Sequence, residues 1–179
     1  MRIGYADPPY VGQSLKHYGN HKDFAGEVDH ALLMSELVAD FDGFVLHCTS
    51  TSLGDLLAFA PSDVRVGAWV KPFAAFKKNV PVAYAWEPII FKPARKQSVH
   101  GTTRPLRDFI SEPITMKRGL AGAKPRKVCW WAFECIGCEP SDDLVDLFAG
   151  TGAVAAAWDE WRNLTLDKPV QGGLFEATV

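Results

Sequence analysis

Asp7-Pro8-Pro9-Tyr10 places an acid, a rigid elbow and an aromatic ring within four residues. Consecutive prolines lack amide donors and fix their own φ, so the preceding run Arg2-Ile-Gly-Tyr-Ala6 cannot continue as a strand through them. What emerges at that strand end is a carboxylate, carbonyl groups released from ladder pairing and a flat apolar face. The second stretch able to do chemistry is DLFAGTGAV, residues 146–154. An apolar strand, a glycine turn and an alanine-rich helix let backbone N–H groups and a helix N-terminus approach a ligand, because glycine has no Cβ to block it. A phosphate loop is excluded, since the Gly-Lys-Ser/Thr ending is missing. The third glycine of the dinucleotide fingerprint is here Ala155, which the variant ending in alanine tolerates.

Together the two stretches resemble the amino-methylating class of S-adenosylmethionine-dependent DNA methyltransferases, in the permuted order where the catalytic motif precedes the cofactor motif. GAKPRK (122–127) is similar to the family's Lys-Pro start of the helix before the cofactor strand, and AWEPIIFK (85–92) to the strand after the catalytic half. The resemblance runs from Ile3 to Asn163. It implies an α/β, Rossmann-like methyltransferase sheet with an antiparallel strand pair, permuted and shortened at its C-terminal end. One domain over 1–167 and an extended tail over 168–179 are expected.

The resemblance also implies roles. An exocyclic amine is a poor nucleophile because its lone pair is delocalised into the base; the Asp7 carboxylate and the Pro8 carbonyl would each accept one of its N–H groups, with Pro9 stiffening the loop. Tyr10 would stack on the extruded base. Asp146, Leu147, Phe148, Ala149, Gly150, Thr151 and Gly152 would hold S-adenosylmethionine, with Lys124 bracketing its methionine end. Asp at the first motif position favours adenine N6 over cytosine N4. Similar motifs occur in methyltransferases of RNA and of protein amides, and a shortened, non-catalytic relative that binds DNA or a partner is a further alternative.

The chain departs from the family in two places. Only 27 residues follow Gly152; NLTLD (163–167) reads either as a truncated strand whose Asp167 would meet the ribose hydroxyls or as a stretch in which Asp167 is a surface turn residue. The second acid of the family is absent, so either the adenosine site is half open or a partner subunit, such as the second copy of a homodimer, completes it. The recognition region, 93–123, is short but basic. From Lys92 to Lys127 there are ten Lys or Arg against Asp108 and Glu112, a charge of +8 in a chain whose formal net charge is -2. Such a segment suits a polyanion, and Lys92, Arg95, Lys96, Arg104, Arg107, Lys117 and Arg118 are the candidate DNA phosphate contacts. QGGLF, from Gln171 to Phe175, resembles the peptide by which bacterial proteins bind the replication sliding clamp.

These residues need elements to position them. With 47% apolar residues the chain can bury a core. No apolar run approaches the ~20 residues that span a bilayer, and the N-terminus lacks a signal-peptide layout, so a cytoplasmic protein with no membrane partner is expected. Cys48, Cys129, Cys135 and Cys138 read as reduced, buried thiols. Cys135-Ile-Gly-Cys138 lacks the second pair or nearby histidines of a four-ligand zinc site, so no metal is expected. Strands are expected at 2–6, 43–48, 64–70, 83–91 and 142–148, the third and fourth as an antiparallel pair with Trp69 facing Trp86. Amphipathic spacing predicts helices over 27–41, 49–59, 125–136 and from Gly152 onward, with a weak helix at RPLRDFI, 104–110. Strands alternating with helices favour a layered α/β sheet.

Overall fold

The computed structural model describes residues 1–9, 28–73, 79–96, 105–115 and 123–166. Its elements in chain order are β1 (Arg2–Ala6), α1 (His30–Asp40), β2 (Gly43–His47), α2 (Leu53–Phe59), β3 (Arg65–Val70), β4 (Trp86–Lys92), β5 (Phe109–Ser111), α3 (Arg126–Ile136), β6 (Asp143–Asp146) and α4 (Ala153–Leu166). The six strands form one sheet in the order β5-β3-β4-β2-β1-β6. β1 pairs in parallel with both β2 and β6, and β3 pairs in parallel with β5. β4 runs antiparallel to both of its neighbours.

Alternation along the strands sends successive side chains to opposite faces. Ile3, Tyr5, Val45, Ile89 and Phe91 pack on one face against Trp131 and Phe133 of α3 and Trp158 and Trp161 of α4. Gly4 and Ala6 lie on the other face, where Phe44, Leu46 and Ile90 meet Leu33, Met34 and Leu37 of α1 and Leu56 of α2. A helical layer therefore covers each side of the sheet. Asp29 caps α1, its carboxylate accepting from the Ala31 and Leu32 amides at 3.0 Å each. α3 follows Pro125 and stops at Gly137, whose φ of 76° places it in the left-handed region that glycine tolerates at a helix C-terminus.

The antiparallel β3–β4 pair and the helices either side of the sheet match expectation; three local readings do not. RPLRDFI contributes the short strand β5 rather than a helix, because Phe109–Ser111 finds free edge groups on β3. NLTL continues α4: Trp158 and Trp161 commit the face to the core, and Thr165 donates back to the Trp161 carbonyl at 2.7 Å. Trp69 pairs with Glu87 and Val70 with Trp86, so the two indoles are not opposite each other. The Trp69 indole instead donates to the Glu112 carbonyl at 2.7 Å.

Five of the six strands run in one direction, so their C-terminal ends share one edge, where open α/β sheets bind ligands. Asp7 follows β1 there, Lys71 follows β3, and the glycine turn follows β6. Glu87, near the start of the antiparallel β4, reaches the same edge.

Candidate active site

Tyr5 stands opposite Asp146 across the β1–β6 ladder, and the Leu147 amide extends that pairing by donating to the Tyr5 carbonyl at 2.9 Å. The Asp-Pro-Pro motif and the glycine turn therefore leave the sheet side by side. Sequence separation of about 140 residues becomes spatial adjacency through one parallel pairing.

The turn is shaped for close approach. Gly150 and Gly152 have φ of 44° and 72°, and a Cβ built on Gly152 would meet no atom of the described residues within 4 Å. The Gly152 amide donates to the Ala149 carbonyl at 2.7 Å, and the Gly152 carbonyl accepts from Ala156 as the first bond of α4. Ala149, Gly150 and Thr151 are exposed, whereas Leu147 and Phe148 pack against the core on the α1 side. Asp146 accepts from the Phe148 amide at 3.2 Å through one carboxylate oxygen. Its other oxygen is buried without a hydrogen-bond partner among the described residues. Burial raises the Asp146 pKa, the Phe148 amide opposes that, and the neighbouring Asp7 charge adds to it. A buried acceptor left unsatisfied costs about 1–3 kcal/mol, so a donor reaching this oxygen would be stabilising.

Asp7 is not alone. Its Oδ1 lies 3.0 Å from the Nζ of Lys124, the lysine just before α3. The same ammonium hydrogen-bonds Oε1 of Glu87. Glu87 also accepts from His47 Nδ1 at 3.0 Å and, through Oε2, from Lys71 Nζ at 3.0 Å. His47 Nε2 is 2.8 Å from the Tyr5 hydroxyl, which lies 3.8 Å from Cys129 Sγ. Both lysines sit over the Trp69 ring, Lys71 at 4.5 Å and Lys124 at 5.5 Å from its centroid. Burial alone would raise the Glu87 carboxyl, but Lys124, His47 and Lys71 overcome it and hold the pKa well below the ordinary value. Tyr5 is fully buried, and burial pushes its pKa well above 10, so it keeps its proton. Ligand atoms of Asp7, His47 and Glu87 lie within 4.8 Å of one another, a spacing that a cation would suit. Lys124 is bonded to two of those three, Asp7 and Glu87.

The structure brings Asp7, Pro8, Pro9, Lys124, Asp146 and the turn 147–152 to one edge. Tyr10, Asp167, Arg104, Lys117, Arg118 and Gln171–Phe175 lie outside the described residues. Lys92 and Arg95 sit at the opposite edge, because β4 runs backwards: Lys92 pairs with Phe44 at the start of β2 and contacts Asp63 at 3.5 Å. Arg95 makes a two-pronged bond to Asp142 at 2.7 and 2.8 Å, just before β6. Lys96 and Arg107 are exposed, the latter's guanidinium 5.8 Å from the Phe109 ring centroid. Sequence reasoning missed Tyr5, His47, Lys71 and Glu87 as a group. The available signal was Glu87, a single acid inside the apolar run AWEPIIF.

The chain has a mixed α/β, Rossmann-like fold with one antiparallel strand in a six-stranded sheet. Among solved structures it is similar to M1.HpyAVI in complex with SAM, at 17% identity and a TM-score of 0.57, covering 89% of this chain and 78% of that one. It is also similar to a second crystal structure of M1.HpyAVI, at 16% identity and a TM-score of 0.56, covering 88% of this chain and 75% of that one. No family model matches the chain, and no curated protein does.

Proposed function

We propose that the protein transfers a methyl group from S-adenosylmethionine to the exocyclic amine of a DNA base, adenine N6 first. The observation that carries this reading is the adjacency of Asp7-Pro8-Pro9 and the Asp146–Gly152 turn at the ends of neighbouring parallel strands. The residues fit the cofactor. The unpartnered Asp146 oxygen is an acceptor for its ammonium or hydroxyl donors, and the open space at Gly152 lets it approach the backbone. The neighbour that contains SAM shares the fold. When bound, the cofactor supplies an electrophilic methyl group carried on a sulfonium.

The chain's own residues do the rest by placement. Asp7, with its side chain 22% exposed, can accept one N–H of the amine, and the Pro8 carbonyl the other. Two fixed acceptors turn the nitrogen lone pair out of conjugation and toward the methyl group. The nitrogen sheds one proton after transfer, and the Asp7 carboxylate is the nearest base. Tyr10 supplies the stacking face for the extruded base. Asp at position 7 is the basis for adenine over cytosine.

The test is transfer of labelled methyl from S-adenosylmethionine to unmodified DNA, read by nucleoside mass analysis, with Asp7→Ala alongside. Methyladenine that vanishes in the variant is expected. Transfer to RNA or protein but not DNA would replace the substrate, and absence of cofactor binding would leave a non-catalytic binding protein.

A further inference from the structure

Glu87 is 4% exposed in the interior of the sheet, where a carboxylate serves stability poorly: a well-packed apolar side chain is often as good or better. Yet three donors converge on it, Lys124, His47 and Lys71, from the segment before α3, from β2 and from the end of β3. The chain of contacts does not stop at Glu87. Lys124 continues to Asp7, and His47 continues back to Tyr5 on the strand that delivers Asp7. Two carboxylates share one ammonium, and only the outer one reaches the surface.

We propose that Glu87 is a positioning residue for methyl transfer: it anchors the Lys124 ammonium so that Oδ1 of Asp7 is held and its second oxygen is left for the substrate amine. The proposal rests on the reading of Asp7 as the acceptor of that amine. A carboxylate held by one charged partner loses the rotamer freedom it would have on a free loop. Acceptor placement matters steeply here, since a displacement of about 1 Å at a reacting group can cost about a hundredfold in rate. Lys71 also holds Glu87, so two lysines face two carboxylates, with His47 alongside.

The experiment compares wild-type protein, Glu87→Gln, and the double variant Glu87→Gln with Lys71→Met. Glutamine keeps the shape but loses the charge that anchors Lys124; the double variant restores charge balance without restoring the anchor, and carries the same test if the single variant unfolds. Turnover, the dissociation constant for S-adenosylmethionine and thermal unfolding are measured on each. We expect kcat to fall about 10- to 100-fold in both variants, with cofactor affinity within about twofold of wild type. Full activity in the double variant would overturn the proposal, leaving Glu87 as a charge-balancing residue. Unchanged kcat with cofactor affinity tenfold weaker would also overturn it, assigning Lys124 to the cofactor instead. A wild-type protein that binds S-adenosylmethionine but methylates no amine would remove the functional reading itself, a result distinct from either.

Discussion

Replacing Gly152 by alanine separates what the glycine turn does for folding from what it does for a ligand. An L-residue at φ 72° costs about 1–2 kcal/mol, and the new Cβ meets no atom of the described residues within 4 Å, so no clash with them adds to that strain. For a chain of this size each kcal/mol lowers Tm by about 2–4 °C, so a fall of about 2–8 °C is expected. The space the methyl group fills is the space through which a cofactor would reach the turn, so affinity for S-adenosylmethionine should fall at least about tenfold, or ~1.4 kcal/mol. Calorimetric titration and thermal unfolding monitored by circular dichroism read the two effects separately. Two controls bracket the result. Gly54→Ala lies in α2 with open space around it and should raise stability by about 0.5–1 kcal/mol. Gly43→Ala would drive a Cβ to 2.5 Å from the Ala94 amide nitrogen and should fail to fold. Wild-type cofactor affinity in Gly152→Ala would refute the assignment of this turn as the cofactor cradle.

Asp7→Ala should lower methyl transfer at least about a hundredfold while S-adenosylmethionine still binds, measured by single-turnover transfer and titration. Asp142, with a side chain 1% exposed, accepts from Arg95, the Glu139 amide and the N-terminal ammonium; these overcome burial and hold its pKa far below the carboxylate range. Asp142→Asn should therefore cost about 3 kcal/mol at neutral pH. Because the native value is depressed, that stabilisation is present above about pH 3.9 and fades as pH falls toward the native value, so urea denaturation should show the two proteins converging in acid. Burial pushes the Cys48 and Cys129 thiols up to about 12, and Cys135 and Cys138 upward too. A thiol reagent at pH 8 should label native protein slowly and all four cysteines in denaturant.

The elements that local pattern dictates were legible in the sequence. The buried strand before Asp7, the capped α1 and the strand, glycine turn and helix from Asp143 to Leu166 all follow from periodicity and turn chemistry. What depended on pairing was not. β5 is three residues long and exists only because β3 offers an edge, and the Trp69 partner is set by a register that no single strand encodes. Strand direction decided the fate of the basic segment: Lys92 and Arg95 closely follow Glu87 in sequence, but antiparallel β4 carries them to the far edge, onto Asp63 and Asp142. The same reversal delivers Glu87 to Asp7. Its buried charge was visible as an anomaly in an apolar run, whereas its three donors come from distant segments that only the folded sheet assembles.

The parallel pairing of β1 with β6 also has a consequence during synthesis. Among the described strands β1 is made before β6, so the edge of β1 that meets β6 has no partner until residues 143–146 have been made. Through that interval Ile3 and Tyr5 lack the α3 and α4 side chains that cover them, and an uncovered apolar strand edge is a target for misassembly and for chaperones. The Asp7 motif and the glycine turn are therefore brought side by side only once β6 has been made, and chains halted before Asp143 should be unable to bind S-adenosylmethionine.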